Sequence, residues 1–240
     1  MSILDKLESS REDFVWKDGE RLIAFGPSAL ASLPAFLRSA QLEQYVLLTT
    51  DRALVQFARQ VGGEEVIAAA ASRELATSGG VAELARDLRE EVGDRAIVAV
   101  GGGRVIDTAK AIAGSWGRKV VAIPTTLSGA PMTGAHRLPA GFAGEARNVR
   151  PAIVIGIPEL MASQPEGLRV GSAMNALSHA IESLFVETGS PVPRLAGARA
   201  VNLIASALQA GSPDASAPRA RLALGAIEAG YAVGATGIAL

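Results

Sequence analysis

The chain has 240 residues, a formal net charge of −1, 49% hydrophobic but only 4% aromatic residues, and no cysteine. The near-neutral balance argues against a nucleic-acid surface, which needs a basic face, and the lack of cysteine excludes disulfides and thiol catalysis. Without a basic-plus-apolar leader or an apolar run long enough to span a bilayer, a soluble cytoplasmic protein with a core of Ala, Val, Leu and Ile is expected.

In chain order, Arg21–Phe25 predicts a first strand, stopped by Gly26 and Pro27, after which Ser28 caps a helix through residue 38. Tyr45–Thr49 predicts the next strand, with a helix over 52–61 and a short strand over 65–68. Residues 81–91 carry Val81, Leu84, Ala85 and Leu88 on one face, which predicts a helix. Strands over 96–100 and 120–123 flank a helix over 105–115, and 151–156 reads as a further strand. From Glu159 onward the pattern is helical, with segments near 171–185, 193–208 and 217–233 set apart by Gly, Ser and Pro. Strand–helix alternation followed by helices alone predicts an α/β parallel-sheet unit over 1–157, an all-helical unit over 158–240, and a join over 156–167.

The segment Ala96-Ile-Val-Ala-Val-Gly-Gly-Gly-Arg-Val-Ile-Asp-Thr-Ala-Lys110 runs from an apolar strand through three glycines straight into a helix. Residues without side chains let a bulky anion approach the backbone, and the helix start aims N–H groups and its positive dipole end at the same place. This is the local pattern of a phosphate cradle, although a tight strand-to-helix turn with no ligand would read similarly. A second strand ends in Pro124-Thr-Thr-Leu-Ser-Gly129, bringing the hydroxyls of Thr125, Thr126 and Ser128 to a loop. In open parallel sheets ligands bind beyond the carboxyl ends of strands, so the two loops suggest one crevice. Asp51, just past Tyr45–Thr49, is either an N-cap or an acceptor for ribose hydroxyls that would disfavour a 2′-phosphate. Among Arg137, Arg147 and Arg150 one arginine could clamp a substrate carboxylate, though a solvated hairpin over 132–150 accounts for them better, and for His136 too.

Gly101-Gly-Gly-Arg-Val-Ile-Asp-Thr-Ala-Lys110 followed by Pro124-Thr-Thr-Leu-Ser-Gly-Ala130 resembles the iron-containing alcohol dehydrogenase superfamily. Leu127-Ser-Gly-Ala-Pro-Met-Thr133 and Ser172-Ala-Met-Asn-Ala-Leu-Ser-His-Ala-Ile-Glu182 are most similar to its maleylacetate reductase branch. The resemblance implies a dehydroquinate synthase-like architecture: an NAD(P)-binding α/β domain over 1–157 and a partial all-helical substrate and metal domain over 158–240. It implies that Gly101, Gly102 and Gly103 meet the pyrophosphate, that Asp107, Thr125, Thr126 and Ser128 line the cofactor, and that Asp51 faces the adenosine ribose, giving a mild preference for NAD over NADP. It also implies hydride transfer between nicotinamide and a carbonyl or keto-acid substrate.

Two features depart from the family. Asn175 and His179 lie at i and i+4, one face of a helix, where metal-dependent relatives carry Asp and His; the amide is a poor ligand without charge. The chain also stops at Gly234-Ala-Thr-Gly-Ile-Ala-Leu240, before the family's later histidines, leaving only His136 and His179. A catalytic metal usually needs three protein ligands, so no metal site is expected, and His179 with Asn175 are assigned proton-donating and hydrogen-bonding roles. Leu222, Leu224, Ile227 and Val233 are expected to be exposed by missing partners, which favours a homo-oligomer. A nucleotide-binding module without turnover, and a lyase of the dehydroquinate-synthase type, are the competing readings.

Overall fold

The computed structural model describes residues 13–75, 79–134, 137–141, 149–186, 189–210 and 215–236. Seven strands form one sheet: β1 (Phe14–Asp18), β2 (Arg21–Phe25), β3 (Tyr45–Thr49), β4 (Ser72–Leu75), β5 (Ala96–Gly101), β6 (Val120–Pro124) and β7 (Ile153–Gly156). A 3-10 turn Ala29–Ser32 precedes α1 (Leu33–Ser39). The other helices are α2 (Asp51–Val61), α3 (Glu64–Ala68), α4 (Val81–Asp87), α5 (Arg89–Val92), α6 (Gly103–Trp116), α7 (Pro158–Met161), α8 (Glu166–Phe185), α9 (Pro191–Leu208) and α10 (Ser216–Thr236).

The strand order is β1-β2-β7-β6-β5-β3-β4, with β1 antiparallel to β2 and every other pair parallel. The expected α/β sheet with helices beyond it is therefore present, in mixed form. β3, β5, β6 and β7 are buried along their whole length. Parallel strands covered on both faces carry unbroken apolar runs, which is why the sequence announced them clearly. After β4 the chain returns to the other side of β3 to lay down β5, so the carboxyl ends of β3 and β5 flank a topological switch point.

On one face, Leu47, Val98, Val100, Ile123 and Ile155 pack with Leu33, Leu37, Phe57 and Leu160 from α1, α2 and α7. On the other, Val46, Ile97, Ala99 and Ala122 pack with α4 and α6. Further along, Ile23, Phe25 and Val154 pack with Ala176, Ala200, Ile204, Ala226 and Ile227 from α8, α9 and α10. The register pairs Ala122 with Val154, so α6 and the three long helices cover the same side of the sheet. The loop that follows β6 runs between them.

Several sequence expectations are corrected. The segment 65–68 is helical, because left-handed Gly62 (φ +65°) ends α2 and Gly63 starts α3 with Glu64 and Glu65 at its positive end. The strand at that edge is Ser72-Arg-Glu-Leu75, too short and polar to announce itself. Residues 81–91 form two helices, and β1 had not been anticipated. The expected join over 156–167 contains α7, whose Leu160 and Met161 are fully buried. Leu222, Ile227 and Val233 are buried and Leu224 half-buried, because α10 is enclosed by α8, α9 and the sheet. Apart from Val15 on β1 and Val55 on α2, the exposed large apolar side chains among the described residues lie on α8 and α9, among them Met174, Ile181, Phe185, Val192 and Leu195.

Inside the helical layer, Glu228 of α10 pairs with Arg199 of α9. Burial pushes its carboxyl up to about 7 from 4.5, with the guanidinium pulling it back in part. Since the folded chain holds this proton more tightly than the unfolded one, the stability it contributes is full below about pH 4.5 and is lost as pH rises through about 7. Urea unfolding should show stability falling over that window by an amount on the order of 3 kcal/mol at most, and Glu228→Gln should flatten the slope.

Candidate functional site

β5 and β6 deliver two loops to one place. β5 is apolar to Val100, then Gly101, Gly102 and Gly103 carry the chain into α6. Gly102 is the N-cap in an extended conformation, with no side chain capping the helix. The first-turn N–H groups and the positive end of a 14-residue helix therefore point out of the strand end. Thr125 N–H donates to the Gly101 carbonyl at 2.9 Å, locking the start of the second loop onto the first.

The glycines are required by proximity here. A Cβ on Gly102 would sit 2.9 Å from Thr126 Cγ2, and one on Gly103 would sit 3.0 Å from Ser128 Oγ. Thr125, Thr126 and Ser128 are thus brought against Gly101–Gly103 as the sequence suggested. Ser128 Oγ accepts from Ala130 N–H at 3.3 Å, which curls the loop back toward α6. Thr126 Oγ1 is buried without a hydrogen-bond partner. An orphaned hydroxyl against a glycine turn and an uncapped helix start are what a phosphate oxygen would satisfy, so the residues fit a dinucleotide's pyrophosphate.

Register places Thr49, the last residue of β3, beside Val100, the residue before the glycines. Asp51 follows two residues on, exposed at the first position of α2. It is not the N-cap: Thr50 is, its hydroxyl accepting from Ala53 N–H at 3.3 Å. The carboxylate of Asp51 is thus exposed and is not what caps α2. Asp107 sits one turn into α6 and pairs with Lys110 Nζ at 2.7 Å, so its charge is directed along the helix.

Asn175 and His179 share a face of α8. Asn175 is exposed, and His179 Nδ1 lies 3.3 Å from Glu182 Oε2 on the same helix. No group of three or more His, Asp or Glu able to hold a metal ion forms among the described residues. Arg150 donates to the Gly234 carbonyl at 2.6 Å and is tied to α10, while Arg137 is exposed. His136 and Arg147 lie outside the described residues. A concavity of about 600 Å³ opens elsewhere, between α1 and α3, lined mainly by apolar residues such as Leu33, Leu37 and Val66. It shares no residue with the glycine turn.

Sequence reasoning passed over Lys110 and Arg21. Lys110 is fully buried, and burial lowers its pKa against the opposing pull of Asp107. Arg21 donates to the Met132 carbonyl and contacts Met132 Sδ, both at 3.3 Å. The available signal was an Asp–Lys pair at i, i+3 on a helix half of whose other positions are Ala, Ile or Val.

Residues 24–134 match the family model for iron-containing alcohol dehydrogenases. The maleylacetate reductase of Pseudomonas knackmussii is 32% identical over 176 residues, which is 71% of this chain and 50% of that protein. The maleylacetate reductase of Burkholderia cepacia is 36% identical over 167 residues, 66% of this chain and 47% of that protein. The chain spans about half the length of these curated relatives. A putative alcohol dehydrogenase from Ralstonia eutropha superposes with a TM-score of 0.75 at 28% identity, covering 94% of this chain and 65% of its own.

Replacing Gly102 with Ala forces Cβ into Thr126 and should cost about 1–3 kcal/mol in urea unfolding. A Gly102→Ala chain as stable as the wild type would mean the two loops do not touch as described.

Proposed function

Because this chain belongs to the iron-containing alcohol dehydrogenase superfamily, we propose that it is the nucleotide-holding part of an NAD(P)-dependent oxidoreductase acting on a carbonyl or keto-acid substrate of the maleylacetate kind. Members of the family are oxidoreductases. The observation that carries the reading is the junction of the two loops: Gly101–Gly103 and Thr125–Ser128 meet at adjacent strand ends, below an uncapped helix start and around the buried, partnerless Thr126 hydroxyl.

In this reading the first-turn N–H groups of α6 and the Thr126 hydroxyl bind the pyrophosphate, and Thr125 and Ser128 fix the loop that lines the rest of the cofactor. Asp51 accepts from the adenosine ribose hydroxyls and repels a 2′-phosphate. When bound, the nicotinamide supplies or accepts a hydride. His179 is the candidate proton donor, its ring steered by Glu182, with Asn175 as a hydrogen-bonding companion on the same helix face. The second reading is a nucleotide-binding module without turnover.

Calorimetric titration should give NADH binding at least tenfold tighter than NADPH, a difference of about 1.4 kcal/mol. Asp51→Gly should narrow that ratio and Gly102→Val should remove binding. Adding maleylacetate to the NADH complex and following nicotinamide absorbance then separates the readings: oxidation marks the enzyme, binding alone the module. Failure of the wild type to bind either dinucleotide would refute both.

A further inference from the structure

Lys110 stands in the middle of α6 with no exposed surface. Its ammonium donates to the carbonyl oxygens of Ala130 at 3.0 Å, Gly134 at 3.1 Å and Thr133 at 3.2 Å, and to Thr133 Oγ1 at 3.2 Å. Asp107 Oδ1 completes the shell at 2.7 Å. Five oxygens thus surround a group with only three N–H donors, an arrangement closer to the shell of a bound cation than to an ordinary lysine contact.

Packing does not call for a charge here. The neighbouring Ala109, Ala111, Ile112 and Ala113 are buried and apolar, and a methionine would fill the same channel. A buried ammonium is costly unless it is paired and fully hydrogen-bonded. What it does in return is visible in its four acceptors outside α6, which all come from one short stretch of loop. That stretch continues Thr126 and Ser128, which press on Gly102 and Gly103. Its opposite side lies against α10, where a Cβ on Gly230 would be 3.1 Å from Gly129 Cα. Arg21 holds the Met132 carbonyl between the lysine's contacts.

We propose that Lys110 is a positioning residue, an internal cation that gathers the carbonyls of residues 130–134 and thereby holds Thr126 and Ser128 in place at the glycine turn. The proposal rests on the nucleotide reading of that turn.

The test uses the whole chain with Lys110→Met and Lys110→Ala, and reads two things: amide hydrogen exchange over 128–134 and NADH affinity by calorimetry. Lys110→Met should lose protection over 128–134 at least tenfold while β5 and β6 remain protected, and its Kd for NADH should rise at least tenfold. In Lys110→Ala, propylammonium should enter the vacated channel and restore NADH affinity, whereas tetramethylammonium, which has no N–H, should not. Unchanged protection in Lys110→Met overturns the proposal. So does a loosened loop with the NADH Kd within twofold of wild type, or propylammonium that raises the melting temperature of Lys110→Ala without restoring affinity. If Lys110→Met does not fold, the propylammonium result decides alone. Failure of the nucleotide reading shows separately, as a wild-type chain that does not bind NADH; that too removes the positioning role, while the exchange data still report whether the lysine orders the loop.

Discussion

The structure turns on one close approach. The Thr125 N–H to Gly101 carbonyl bond joins two neighbouring strand ends, and the next residues of each loop touch at distances that leave no room for a Cβ. That contact fixes where α6 starts and where the segment after β6 must run. The segment then passes between α6 and α10, so the placement of the long helices over β2 and β7 follows from it. A turn that looks like a feature of local backbone freedom thereby sets the relation between the sheet and its helical cover.

Electrostatics on this face is arranged around the same segment. Two buried cations, Lys110 and Arg21, donate to backbone and side-chain acceptors of residues 130–134. After burial, which is the main cause, the charge of Arg21 also lowers the pKa of Lys110. Such an arrangement persists only because carbonyl oxygens, Asp107 and Asp18 offset the repulsion. At the glycine turn the provision is the opposite: a helix start with no side-chain cap and a buried hydroxyl without a partner. One end of the loop is saturated with hydrogen bonds and the other is not.

Much of this was legible in the sequence. Buried parallel strands leave continuous apolar runs, and β3, β5 and β6 were found almost to the residue for that reason. The glycine turn and the threonine loop could be placed together because both follow such strands. What escaped notice did so on physical grounds. β4 is a short polar edge strand, and the apolar run before it is a helix started by Gly63. Thr50 and Asp51 both suit a helix start, and the local geometry chose the hydroxyl. Lys110 reads as a solvated residue of an amphipathic helix; only the path of a loop twenty residues away reveals it as interior. Leu222, Ile227 and Val233 were misjudged because α10 has no single apolar side: it is buried nearly all round.

That enclosure of α10 has a consequence for how the protein comes apart. The helix meets its neighbours largely through Ala223, Gly225, Ala226, Ala229, Gly230 and Ala232, residues that each bring little apolar area out of water. Larger contacts are few: Leu222, Ile227 and Val233 are buried, and Tyr231 meets Trp16 of β1 edge-to-face at 5.0 Å, in a chain that is only 4% aromatic. Its cohesion comes from many shallow contacts made at once by backbones lying close together. Layers of that kind have few stable partly detached arrangements, since loosening one helix forfeits the fit of the others. α8, α9 and α10 should therefore open together, and with them would go the wall at Gly230 against which Gly129 rests.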